Sequence, residues 1–163
     1  MSPDKPASPD PAPLAGLAAE SAAWQGLLEI LQDEERALIA GEADRLAQLN
    51  TAKLTQLQAV SEHARKRHAD LLAAGHAADR AGVDAWLARH GQPEQRARWQ
   101  RLCALEQEVQ AANQRIGSLI ELRLSSTRQA LNVLVHSATS QGGLYDHAGL
   151  AVAARKGTPL TAA

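Results

Sequence analysis

The chain of 163 residues carries 17 Lys and Arg against 18 Asp and Glu, with 45% hydrophobic residues, one cysteine and no phenylalanine. A formal charge of -1 leaves no basic field to hold nucleic acid or anionic lipid. With only 2% aromatic residues and few β-branched ones, Leu and Ala must do the packing, which disfavours sandwiches and α/β sheets and points to an all-α protein of one domain.

Residues 1–13, MSPDKPASPDPAP, hold five of the seven prolines. They lack the apolar stretch of a secretory signal, and their composition cannot bury enough surface to offset ordering, so residues 1–17 are expected to be a disordered arm. No apolar run approaches the roughly 20 residues that span a bilayer, and the expected location is the cytoplasm, without membrane insertion.

From Ala18 the pattern changes. Trp24, Leu27, Leu28, Leu31 and Leu38 recur at helical spacing and predict a first helix to Ala40. Gly41 interrupts it, and Leu46, Leu49, Leu57, Val60, Ala64 and Leu71 mark one face of a second helix ending near Gly75. Lys53 falls on that face and reads as a snorkelling lysine at the edge of a helix pair. HARKRH, residues 63–68, reads as a solvated basic turn, because His63 and His68 are five apart and do not share a face as metal ligands would.

Residues 75–92 read as a connection with a short helix anchored by Trp86 and Leu87. Pro93 suits the first turn of a long third helix running to about Ser137, roughly 68 Å at 1.5 Å per residue. The expected architecture is therefore an elongated antiparallel helical hairpin or bundle with coiled-coil character and a long C-terminal helix. Residues 18–137 form its helical domain and residues 138–163 a flexible tail. Cys103, beside Leu102, reads as a small core residue.

The long helix changes character along its length. Before Ile116 a single apolar stripe runs through Trp99, Leu102, Leu105 and Val109. After it the stripe continues through Ile120, Leu124, Leu131 and Leu134, while Leu119, Leu122, Ala130 and Val133 form a second one beside it. The combined arc spans about 220°, against the ~100° of a helix resting on one core. Leaving four such side chains bare would forgo roughly 1.5–3 kcal/mol for each large one and invite aggregation. This half of the helix is therefore read as a surface for another chain, the alternatives being that the first two helices wrap both stripes or that the protein dimerises there.

No Walker loop, dinucleotide-binding glycine pattern, H-E-x-x-H or nucleophile elbow occurs, which argues against an enzyme. The six histidines form no convincing metal site, and no cofactor is expected. The tail SQGGLYDHAGL, residues 140–150, holds the only tyrosine, Tyr145, next to Leu144.

Three stretches resemble the FlgN family of flagellar export chaperones: LIAGEADRLAQLNTAKLTQLQAV with its Gly-acidic turn and lysine, ANQRIGSLIELRLSSTRQALNVL with its Asn/Gly motif and amphipathic helix, and GLYDHAGLA at the tail. The chain departs from the family pattern at Ile116, where a second Asn often precedes the glycine, and at Asp146, where a Gly commonly follows the Tyr. The resemblance implies a cytoplasmic chaperone of the hook–filament junction proteins FlgK and FlgL that delivers them to the export gate component FlhA. It places partner contacts on Ile116, Leu119, Ile120, Leu122, Leu124, Leu131, Val133, Leu134, Leu144 and Tyr145, and agrees with helix-in-groove recognition by the wide face. Tyr145 is then either an aromatic anchor docked on a partner or a ring folded back on the helix end. The alternative function is a structural coiled-coil adaptor or dimerisation module.

Overall fold

The computed structural model describes residues 13–142. The described residues form four helices and no strand: α1 (Leu17–Ala40), α2 (Ala43–Ala73), α3 (Arg80–His90) and α4 (Pro93–Gly142). The all-α class and the long C-terminal helix follow the sequence reading. The proline-rich arm up to residue 12 and the tail from residue 143 lie outside the described residues. Two compact units divide the chain, the first ending at Ile120 and the second beginning at Glu121.

Local chemistry sets the boundaries of the helices. Gly41, at φ 78°, ends α1 in the left-handed conformation. This turn lets the N–H groups of Gly41 and Glu42 reach the Ala37 carbonyl at 2.9 and 3.0 Å. Gly75, at φ 76°, lies just beyond α2, where the His76 N–H reaches the Leu71 carbonyl at 2.9 Å. Asp79 caps α3 by accepting the Gly82 N–H at 2.8 Å. Pro93 opens α4, and the Gln95 side chain accepts the Gln92 N–H at 3.1 Å.

The inward line of α2 carries three polar residues, each partnered by α1. Leu49, Lys53, Gln56, Val60, Arg67 and Leu71 follow one another at spacings of three, four and seven. The Lys53 ammonium donates to both Glu34 carboxylate oxygens at 2.7 and 2.8 Å. The Gln56 amide donates to the Ala23 carbonyl at 2.7 Å. Its nitrogen lies 2.8 Å from where a Cβ on Gly26 would stand, which explains the bare backbone at that point of α1. Leu57, expected on the inward face, is exposed because the line passes through its neighbour Gln56.

The third polar residue corrects the reading of HARKRH. Residues 63–68 lie inside α2, with no turn, and Lys66 pairs with Asp70 one turn on at 3.2 Å. Arg67 points inward, and its Nε and Nη2 donate to the two oxygens of Glu20 at 2.9 and 3.0 Å. Glu20 is 1% and Arg67 9% exposed. The guanidinium also lies 5.1 Å from the ring centre of Trp99, whose indole N–H donates to Asp84 at 3.0 Å. This chain of contacts links all four helices.

Apolar residues pack on either side of that network. One cluster joins Leu14, Leu17 and Leu71 to Val83, Trp86 and Leu87 of α3 and to Trp99, Leu102 and Cys103 of α4. The other joins Leu27, Leu28 and Leu31 to Val60 and to Leu105, Val109, Ala112 and Ile116. Trp24 packs against both clusters, and its buried indole N–H has no acceptor among the described residues. Cys103 is buried as a small core residue, and burial pushes its thiol pKa up, with Arg80 pulling the other way.

Candidate partner-binding site

The residues singled out for partner contact divide into three groups. Ile116 is 3% exposed and belongs to the second core cluster, so the structure makes it an internal residue of the first unit. Leu119 is half-buried, and Ile120, the last residue of that unit, is exposed. Leu122, Leu124, Leu131, Val133 and Leu134 belong to the second unit and are between 49% and 67% exposed. Leu144 and Tyr145 lie outside the described residues.

Within the second unit, every side chain from Glu121 to Thr139 is exposed. Ile120, Leu124, Thr127, Leu131, Leu134 and Ala138 alternate at spacings of four and three, the repeat by which one helix lies along another in a coiled coil. Leu119, Leu122, Ser126, Ala130 and Val133 follow a second line on an adjacent face. Val135, four residues after Leu131, is also 52% exposed and was missed by the sequence reading, although its spacing places it beside the first line. Three hydroxyls of this segment bond its own backbone: Thr127 donates to the Arg123 carbonyl and Thr139 to the Val135 carbonyl, both at 2.9 Å, and Ser137 to the Val133 carbonyl at 2.8 Å. What the helix leaves open is apolar area, with Glu121, Arg128 and Asn132 in the remaining sector.

The one half-buried carboxyl whose pKa rises, Glu106, is raised by burial against the opposing pull of Arg67, with Glu20 adding to the rise. Among the described residues, no group of three or more His, Cys, Asp or Glu side chains stands close enough to hold a metal ion. No described helix is long and apolar enough to cross a membrane.

These features define a class: an all-α protein whose most conspicuous surface is an exposed apolar helix. The family model described as FlgN protein matches residues 11–153, which include all three stretches of resemblance, and the chain belongs to the FlgN family of flagellar export chaperones. No curated protein and no solved structure matches it.

Proposed function

We propose that this chain is a cytoplasmic chaperone of the hook–filament junction proteins FlgK and FlgL, and that residues Leu119–Val135 of α4 take up their C-terminal helical segments. The observation that carries this reading is the run of exposed Leu, Ile and Val side chains along this segment. A helix laid along the heptad line through Ile120, Leu124, Leu131 and Leu134 would cover large side chains worth roughly 1.5–3 kcal/mol each. Covering four of them offsets much of the cost of association. Ile116 stays in the core and acts only by holding the start of the face.

Leu144 and Tyr145 are assigned to the delivery step, in which the loaded chaperone docks on the export gate component FlhA. Tyr145→Ala is expected to spare junction-segment binding and to weaken capture by FlhA; loss of segment affinity would move Tyr145 to the cargo surface.

Backbone hydrogen exchange over residues 93–150, with and without the C-terminal segments of FlgK and FlgL, tests the main reading. New protection confined to the stretch after Ile116, present only with a segment, supports it. Complete protection of that stretch in the free chain, unchanged by either segment, overturns it. The heptad line also suits self-association, so sedimentation accompanies the exchange: a stable dimer that no longer binds the segments would assign the face to a structural coiled coil.

A further inference from the structure

An open cleft of about 550 Å³ lies between α3 and α4. Its apolar lining comes from Leu87, Trp99 and Cys103, and its charged lining from Arg80, Asp84 and Arg96. The charge around it departs from that of the chain. Residues 80–101 carry five arginines against Asp84 and Glu94, a balance of +3 in a chain of formal charge -1.

Partners inside the fold account for only part of this charge. Arg98 pairs with Glu94 at 2.5 Å, and Arg101 approaches Glu108 at 3.7 Å. Asp84 accepts the Trp99 indole N–H, a neutral donor, so its carboxylate stays at the cleft as one negative charge beside the two arginines. Arg96 donates to the Leu87 carbonyl in the last turn of α3 at 3.0 Å, which fixes its guanidinium at the cleft, where the negative end of the helix dipole favours a cation but supplies no full counter-charge. Neither Arg80 nor Arg96 has a carboxylate within ion-pair distance among the described residues. Arg80 is moreover the first residue of α3, where peptide dipoles favour an acid, so its charge works against the helix that carries it. Glu106 and Cys103 of α4 feel its charge, which pulls both their pKa values down, but neither forms an ion pair with it.

We propose that this cleft docks an acidic segment of a protein partner, with a large apolar side chain seated against Leu87 and Trp99 and flanking carboxylates on Arg80 and Arg96. The guanidinium forks match carboxylate geometry. A duplex or a membrane surface would need a broad basic face, whereas two arginines bordering one recess suit a single side chain with acidic neighbours. The site lies within the first unit and does not rest on the assignment of the α4 face to junction segments.

The test is a nuclear magnetic resonance titration of the full chain with a short synthetic helical peptide whose central leucines are flanked by glutamates, and with its glutamine counterpart. The Trp99 indole N–H is the reporter, because its bond to Asp84 ties it to the cleft. The expected result is a saturable shift of that resonance with the glutamate peptide. Affinity should fall at least ~10-fold for the glutamine peptide and for a chain bearing Arg80→Gln with Arg96→Gln, about 1.4 kcal/mol. A chain bearing Leu131→Glu with Leu134→Glu should bind the peptide unchanged, which separates this site from the α4 face. The proposal is overturned if Trp99 does not respond at millimolar peptide or if both peptides bind alike. It is also overturned if heparin or phosphatidylserine vesicles shift the same resonance as strongly as the glutamate peptide. The peptide comparison needs only the native chain, so it decides the matter even where the double arginine variant fails to fold.

Discussion

Replacing Arg67 with Met removes a fork of two charge-assisted hydrogen bonds to Glu20 and the contact with the Trp99 ring, while nearly preserving side-chain volume. The loss is large because of what remains: a carboxylate only 1% exposed, without its counter-charge. Breaking one side of such a buried pair costs about 3–5 kcal/mol. In a chain of this size that corresponds to a fall in Tm on the order of 10 °C or more. Substituting Glu20→Leu in the Arg67→Met background removes the stranded charge as well, and an apolar pair of similar volume recovers most of the loss. Urea unfolding of the wild type, both single variants and the double variant closes the cycle, with the coupling read from midpoints at constant slope. An Arg67→Met cost below about 1 kcal/mol, or a double variant equal to the sum of the singles, would refute the claim that the ion pair is desolvated and coupled.

The other expectations are read from single sites. Leu131→Glu with Leu134→Glu should leave stability and helicity within about 0.5 kcal/mol, since both side chains are exposed, while weakening junction-segment binding by about 100-fold or more; unfolding seen by circular dichroism would instead return the face to the core. Glu106→Gln tests the raised carboxyl pKa. Because the folded pKa lies above the unfolded one, the native state holds the proton more tightly, and stability falls as pH rises through the window between the two values. The variant should therefore gain on the wild type at neutral pH and lose that advantage as the pH drops below the ordinary carboxyl range; a pH-independent difference in denaturation midpoint would contradict this. Gly41→Ala forces a Cβ into a left-handed backbone at φ 78° and should cost about 1–2 kcal/mol, measurable as a lowered urea midpoint. Together with Tyr145→Ala these substitutions separate fold, cargo and delivery.

The FlgN family supplies the general role, and the geometry divides labour along α4. Its first part, up to Ile116, contributes Trp99, Leu102, Leu105 and Val109 to the two core clusters. From Leu122 to Val135 the described Leu and Val side chains are exposed, although the stretch keeps the apolar content of a packed helix. On the function proposed here, those bare side chains are the surface that takes up another chain.

By itself the sequence determined the helices, because their signals are local. The period of Trp24, Leu27, Leu28 and Leu31 writes α1; Gly41 ends it through a conformation that other residues avoid; Pro93 opens α4 at the one place where a missing N–H costs nothing. The excess of apolar residues after Ile116 was equally legible, since it needs only an angle per residue. The inward place of Arg67 was also within reach of that arithmetic, seven residues after Val60 and four before Leu71, but the surrounding charges in HARKRH outweighed it. What the tertiary structure alone decided is pairing and burial: that Glu20, 47 residues away, supplies the counter-charge, that Ile116 turns into the core while Ile120 does not, and that Arg80 and Arg96 border one cleft. Those outcomes depend on which faces of distant helices meet, a property of how the helices pack against one another that no local period encodes.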